Sequence, residues 1–234
     1  MVRTTSKAKK STVEVVGQIR SLVDDADLVK QRRAQITKAA ITAFIHRGYH
    51  ACTVRDIAKQ AQVSVGMIYQ YMGDKEDLLF LALVEILRAC KEQISPALVG
   101  VEKPLQRFYK VVSTYCMVHA ASPDATVLAY RETASLTKKR RNVIKQLEAE
   151  VIELISEQIH ACINAGIFEN DIDVDLFCYQ LIMFSHTWAL KAWYFRPRMT
   201  IDTYVERGLR MLLRGVMTTK GARQIRLVSD LGKI

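Results

Sequence analysis

Glycine and proline are scarce in this chain, with 10 Gly and 4 Pro among 234 residues. Because these residues interrupt helices and strands most often, their scarcity predicts long uninterrupted elements and favours helices over a meander of short strands. Half of the residues are hydrophobic and a quarter are charged. That balance is typical of a folded globular protein and excludes a disordered chain, and the length suits one or two domains.

Disulfide frameworks and zinc fingers are not indicated, because the five cysteines are odd in number, widely spaced and form no CxxC pair. We therefore expect no metal site and a reducing, cytoplasmic location. The longest apolar run, residues 78–84, is far shorter than the ~20 residues of a bilayer span, so no membrane partner is expected. The basic N-terminus lacks the apolar stretch of a secretory signal.

Motifs of common enzymes are also missing: the chain has no GxSxG, P-loop, dinucleotide-binding glycine motif or HExxH. The five histidines form no obvious constellation, so we predict neither an enzyme nor a cofactor. Basic residues, in contrast, are in excess, and the formal charge of +10 makes a polyanionic partner plausible. Residues 28–80 carry eight basic and four acidic side chains, a higher positive charge per residue than residues 1–27 or residues 81–234.

Hydrophobic spacing predicts helices along the whole chain. A first helix starts near Lys30, after an acidic cluster that resembles a break, and ends at Gly48 as a C-cap glycine would end it. Later helices are predicted by the same spacing and by their capping residues, over residues 78–94, 105–121, from Pro123 onward, 142–166, 176–195 and 201–216.

Residues 53–79 contain two short helices separated by a tight turn, with a longer helix on either side. Thr53 and Asp56 have the spacing of a capping box, Ser64 is a good N-cap for the second short helix, and Asp74 begins the next helix. This order is a helix-turn-helix pattern. Two helical turns span about 10 Å, which suits the major groove of DNA.

The same residues, TVRDIAKQAQVSVGMIYQYMGDKEDLL, resemble the tetracycline-repressor (TetR) family of bacterial transcription regulators. The resemblance covers a Thr-started helix with Ile-Ala, a turn with Val-Ser, a recognition helix with Ile-Tyr-x-Tyr, and Lys-x-x-Leu. Two positions depart from the family pattern. Gln62 stands where glycine is usual, at a position that needs a left-handed backbone. Met72 replaces the usual phenylalanine, a tolerable exchange of large apolar residues.

Base reading and phosphate binding fall on different residues of this motif. Arg55 and Gln70 are the polar candidates for base contacts, whereas residues 65–67 would read methyl groups and shape. The resemblance implies phosphate contacts for Thr53, Tyr69, Tyr71 and Lys75. Tyr71 is equally compatible with a core aromatic, whereas a solvated charge is the less favoured alternative for Lys75, because a cation at a helix start opposes the helix dipole. The complete predicted DNA-binding set is Thr53, Arg55, Val65, Gly66, Met67, Tyr69, Gln70, Tyr71 and Lys75.

The resemblance also implies an all-α chain whose C-terminal helices form a homodimer and enclose a ligand. Independently, helices 142–166 and 176–195 carry more apolar surface than one partner helix can cover, which favours a four-helix interface across a two-fold axis. We therefore divide the chain into a basic arm (1–27, partly disordered or a short extra helix), a helix-turn-helix domain (28–80), a ligand-binding and dimerisation domain (81–218) and a basic tail (219–234).

The expected function is a regulator, most simply a repressor, that a small molecule releases from a pseudo-palindromic operator in double-stranded DNA. The segment from Tyr130 to the basic cluster at 138–141 resembles FadR-like members that sense acyl-coenzyme A, so an acyl-CoA effector is preferred. A drug-like or other hydrophobic ligand is the alternative, and an all-helical lipid-binding protein without DNA function is a further one. Most of the predicted ligand-binding residues are more typical of plain core; the set is Tyr109, Val112, Tyr115, Cys116, His119, Tyr130, Arg131, Phe184, His186 and Trp188.

Overall fold

The structure is a computed structural model that describes residue 19 and residues 21–228. In this part of the chain the predicted all-α class is confirmed, and the only extended pairing is a single antiparallel bridge between Phe168 and Met217. The helices are α1 (Ala26–Arg47), α2 (Val54–Ala61), α3 (Val65–Tyr71), α4 (Lys75–Ala97), α5 (Pro104–Ala121), α6 (Pro123–Glu132), a 3-10 turn (Thr133–Ser135), α7 (Lys138–Asn164), α8 (Val174–Leu190), α9 (Ala192–Phe195), α10 (Ile201–Leu213) and α11 (Thr219–Val228).

The first helix begins earlier than the sequence pattern indicated. Asp25 is its N-cap, and the carboxylate accepts hydrogen bonds from the N–H groups of Asp27 and Leu28. The acidic cluster is therefore a helix start and not a break, because carboxylates satisfy the free N–H groups of a first turn. The predicted arm (1–27) accordingly ends inside α1, and residues 1–18 and 20 lie outside the described residues.

The predicted basic tail also contains a helix. Helix α11 occupies Thr219–Val228, and its start is capped by the hydroxyl of Thr218, which accepts from the N–H of Gly221 at 3.0 Å. The Lys220 ammonium donates to the Ala165 carbonyl at 2.8 Å. These bonds fix the start of the segment, and residues 229–234 lie outside the described part.

Two further helix boundaries differ from the predictions. The helix predicted for 176–195 is interrupted at Lys191, whose φ of −120° and ψ of 29° separate α8 from the single turn of α9. The helix predicted from residue 142 starts at Lys138, so the basic cluster 138–141 forms its first turn instead of preceding it.

The described residues form two compact units, and their boundary differs from the one predicted after residue 80. The first unit contains the residues up to Ala89 together with Asp124–Glu150, and the second contains Cys90–Pro123 and the residues from Val151 onward. Residues 81–84 are buried in the same core as the helix-turn-helix, as are Leu128 and Leu136. In the second unit α5 packs against α8 and α10, and the rings of Phe108, Phe168 and Phe177 lie within 6.3 Å of one another.

The turn between α2 and α3 depends on a left-handed residue. Gln62 has φ 57° and ψ 43°, which confirms the conformation predicted for this position. The N–H of Val63 donates to the Ala58 carbonyl at 3.0 Å and that of Gln62 to the Lys59 carbonyl at 3.2 Å. This pair of bonds is a Schellman motif, the common ending of a helix that continues into a turn.

We expect Gln62→Gly to stabilise the protein by roughly 0.5–1 kcal/mol. Glycine adopts this conformation without a Cβ clash, and this gain exceeds the larger entropy that glycine loses on folding. Urea unfolding checks this as a higher midpoint with an unchanged slope. The control is Gln60→Gly, which places glycine inside α2 and should destabilise the fold. A lower midpoint for Gln62→Gly would contradict the prediction.

Candidate nucleic-acid interface

Helix α2 starts with the capping box that the sequence predicted. The Thr53 hydroxyl oxygen accepts from the N–H of Asp56 at 3.2 Å, and the Asp56 carboxylate accepts from the N–H of Thr53 at 2.9 Å. Arg47 completes the group through a 2.8 Å ion pair with Asp56. The hydrogen bonds from Thr53 and the nearby Arg47 lower the pKa of Asp56. The start of α2, which carries Arg55, is thus fixed by its own polar side chains.

Helix α3 presents a mixed surface. Ser64 caps it by accepting from the N–H of Met67 at 3.0 Å. Gly66, Tyr69 and Gln70 are exposed, as are Thr53 and Arg55 on the preceding segment. Val65 and Met67 are partly buried and pack against the core, so only part of each side chain is available for methyl contacts. The structure therefore brings most of the predicted DNA-binding residues to the surface of one helix-turn-helix.

Tyr71 is the exception among these residues. Its side chain is only 5% exposed and belongs to the core of the first unit, together with Ile68 one turn earlier. Residues at i and i+3 share one helix face, and that face is the one that holds α3 against the rest of the unit. The prediction of a phosphate contact is corrected here, and the core alternative describes Tyr71.

Lys75 is held by its neighbours at the start of α4. Its ammonium donates to the His50 carbonyl at 3.2 Å and lies 4.5 Å from the centroid of the Tyr49 ring. Both partners belong to the segment before Thr53. A lysine ammonium has three N–H donors, so this arrangement orients Lys75 and still allows a bond to a phosphate.

Three contacts that the sequence did not reveal support the far side of α3. Arg33 on α1 donates from Nε to the Tyr71 carbonyl at 3.0 Å and from Nη2 to the Ile19 carbonyl at 2.8 Å. The N–H of Leu22 donates to the Gln70 carbonyl at 2.8 Å. The final carbonyls of a helix lack intrahelical partners, and here they are satisfied by chain segments 38 and 48 residues away, respectively. No local sequence pattern predicts such bonds.

A buried group of polar side chains lies among the predicted ligand-binding residues of the second unit. Tyr115 Oη and His186 Nε2 are 2.8 Å apart, and the His119 and His186 rings are 4.4 Å apart. Cys90 Sγ, which was not predicted, lies 3.9 Å from His119 Nε2. Burial lowers the pKa of His119 to about 3 and that of His186 to about 4, so both are neutral at neutral pH. Among the described residues, no three His, Cys, Asp or Glu side chains are grouped so that they could hold a metal ion.

The other predicted ligand-binding residues fall into two sets. Val112, Cys116 and Trp188 are buried in the core of the second unit, where Tyr109 and Phe184 are partly buried, and Phe184 stacks on Tyr204 with 4.5 Å between ring centroids. Tyr130 and Arg131 belong to the first unit and are exposed on α6. None of the described helices is long and apolar enough to cross a membrane.

These features define a helix-turn-helix DNA-binding protein, and comparisons with known proteins agree. The family model of bacterial regulatory proteins of the tetR family matches residues 36–82, and that of the tetracyclin repressor-like C-terminal domain matches residues 101–216. The HTH-type transcriptional regulator HbdR of Aromatoleum sp. (strain CIB) is 43% identical over 203 residues, which cover 87% of this chain and 88% of the relative. The chain belongs to the TetR family, whose members are transcription regulators and not enzymes.

Solved structures share the same fold. A bacterial regulatory protein in the tetR family from Rhodococcus RHA1 is 26% identical with a TM-score of 0.67, and the match covers 77% of this chain and 96% of the other. AibR, solved in complex with isovaleryl coenzyme A and operator DNA, is 17% identical with a TM-score of 0.67 and coverages of 77% and 97%. At that identity the likeness to AibR extends to the fold alone.

Proposed function

We propose that this protein is a homodimeric repressor that a small-molecule effector releases from a pseudo-palindromic operator. The observation that carries the DNA-binding part is the exposure of Arg55, Tyr69 and Gln70 on one capped helix-turn-helix. Arg55 carries the guanidinium group that most often reads guanine, Gln70 suits a base edge, and Tyr69 suits a phosphate. Matches to both family domains disfavour a lipid carrier without DNA function.

Replacement of Arg55 by alanine should remove sequence preference more than overall affinity. We expect about 5- to 150-fold weaker binding to a duplex selected from a random library by the wild type, which corresponds to ~1–3 kcal/mol for one bidentate contact. Binding to random duplex should fall much less. Fluorescence anisotropy over a salt series measures both, and the wild type should show a steep salt slope. Arg214→Ala, which removes an exposed charge from the second unit, is the matched control; equal losses on both duplexes would contradict the role of Arg55.

A second copy of the chain is the proposed partner of an exposed apolar stripe on α8. Leu176, Tyr179 and Met183 are 58%, 54% and 43% exposed and follow one helix face. Helix α7, which was predicted to share this interface, offers a partner less apolar surface than its sequence indicated. Its residues Ile152, Leu154 and Ile163 pack against the chain's own core. Family members act as dimers, and two heads on one operator match a two-fold axis.

An acyl-CoA thioester is the proposed effector. Support comes from the FadR-like segment that begins at Tyr130 and from the shared fold of AibR, a structure with isovaleryl coenzyme A. The candidates for binding the phosphates of coenzyme A are the exposed residues Arg131, Lys138 and Lys139. Arg140 is a weaker candidate, because it binds carboxylates of its own chain.

Operator release distinguishes the candidate effectors. Butyryl-, decanoyl- and palmitoyl-CoA are titrated into the complex with the selected duplex, beside free coenzyme A, decanoic acid and ethidium. Release by at least one thioester, but not by free coenzyme A or decanoic acid, supports the proposal. Release by ethidium alone would favour the drug-like alternative, and release by none would reject acyl-CoA thioesters of these chain lengths.

A further inference from the structure

A buried carboxylate organises the turn that follows the recognition helix α3. Asp77 is 3% exposed, and its Oδ2 accepts from the N–H groups of Gly73 at 2.7 Å and Asp74 at 3.1 Å. The Asp74 carboxylate reciprocates by accepting from the N–H of Asp77 at 2.7 Å. The turn between α3 and α4 is therefore held by two side chains that cap each other's backbone.

Two arginines from distant helices act on this carboxylate. Arg33 of α1 holds the last carbonyl of α3, and the charge of Asp77 opposes the burial that lowers the pKa of Arg33. Arg140 of α7 forms a short ion pair with Asp77 and also lies 3.2 Å from Glu76 and 3.9 Å from Asp74. Asp77 thus joins α4 to α7 through Arg140, and its charge acts on Arg33, which binds the end of the recognition helix.

Arg140 joins this network from α7, which lies outside the helix-turn-helix segment. Its side chain is 18% exposed, and its guanidinium lies 5.6 Å from the centroid of the Phe80 ring. A second bond joins the same elements, since the N–H of Thr137 donates to Glu76 at 2.9 Å. Helix α7 then continues without interruption from Lys138 to Asn164.

The chemistry of the contact suggests more than stabilisation. Replacement of a buried ion pair by apolar side chains of similar volume is often neutral or stabilising, whereas in some proteins a buried polar pair fixes the register of the elements that it joins. Lys138 and Lys139 in the same turn are exposed. Arg140, in contrast, is 18% exposed and pairs with Asp77.

We propose that Arg140 and Asp77 are positioning residues for operator binding: together they set the end of the recognition helix, and α7 controls operator affinity through this ion pair. In the structure the pair is closed and the end of α3 is held. Displacement of α7 by an effector opens the pair and frees the turn at residues 72–74. The step that involves the effector rests on the function proposed above, and the positioning role does not.

The main test compares Arg140→Met, which keeps length and loses charge, with Lys138→Met, which removes an exposed charge from the same turn. For Arg140→Met we expect about tenfold weaker binding to the duplex selected by the wild type, within the usual range of coupling between sites. Binding to random duplex should change by less than about twofold, and Arg140→Lys should recover part of the loss. Lys138→Met should behave as wild type on the selected duplex.

Double-variant measurements separate positioning from general damage. Asp77→Asn and Arg140→Met should lose the same affinity, and the double variant should lose no more than either, because residues in one network are not additive. Hydrogen exchange should accelerate in residues 70–77 of Arg140→Met while the second unit stays protected. Thermal unfolding verifies that each variant is folded. If Asp77→Asn does not fold, the comparison of Arg140→Met with Arg140→Lys still tests the proposal.

Three results would overturn the proposal: selected-duplex binding by Arg140→Met within about twofold of wild type, equal losses on selected and random duplexes, or additive losses in the double variant. Failure of the wild type to bind any selected duplex would instead reject the proposed function. Normal operator binding without release by the thioesters would reject the effector assignment alone and leave the result for Arg140 valid.

Discussion

Acidification should destabilise this protein steeply below about pH 6. His119 and His186 have pKa values of about 3 and about 4 in the fold, against 6.5 in an exposed histidine, because burial disfavours their charged forms. Between these values the unfolded chain binds more protons than the folded one, so stability rises with pH. The contribution is fully present above about pH 6.5 and is lost as the pH falls toward the folded values.

The size of this effect follows from the number of protons involved. Together the two histidines contribute up to roughly 3 kcal/mol per pH unit near pH 5. A typical domain is stable by roughly 5–15 kcal/mol, so a two-unit change suffices to unfold many of the molecules. Urea unfolding monitored by circular dichroism at successive pH values measures the slope directly.

A double variant isolates the two histidines from other titrating groups. His119→Gln with His186→Gln should have a much shallower pH slope, because neither side chain then takes up a proton. His160→Gln is the matched control, since His160 is exposed on α7 and should keep the wild-type slope. An unchanged slope in the double variant would show that these histidines do not control acid stability.

Charge on the exposed face of α8 should abolish dimers and operator binding together. Tyr179→Glu with Met183→Glu places two carboxylates on the stripe that includes Leu176, and each would have to be buried without a partner in a dimer. A monomer engages only one half-site, so the gain from linked binding is lost and operator affinity should fall by about 100-fold or more. Analytical ultracentrifugation and anisotropy measure the two effects.

The control for this variant is another exposed apolar residue. Met211 on α10 is 67% exposed, lies off the α8 stripe and should tolerate glutamate without a change in oligomeric state. Persistence of dimers in the α8 variant would contradict the proposed interface. The same conclusion would follow if Met211→Glu dissociated the protein equally well.

The sequence determined the features that depend on local chemistry. Caps at Thr53 and Ser64, the left-handed Gln62 and the order of helices follow from neighbouring residues, because a capping bond or a backbone conformation involves only three or four positions. The family motif lies in the same short stretch. The class of protein and the exposed residues of its DNA-binding helix were therefore accessible before any tertiary structure.

Tertiary structure decided which polar side chains are buried and with whom they bond. Arg140 appeared as one of four similar basic residues, yet in the structure it pairs with Asp77, 63 residues away. Tyr71 was equally compatible with core and surface until the packing of α3 placed it inside. His186 of α8 contacts both Tyr115 and His119 of α5, and its hydrogen bond with Tyr115 joins residues that are 71 positions apart. Such partners are chosen by the packing of whole helices, which no spacing within one segment encodes.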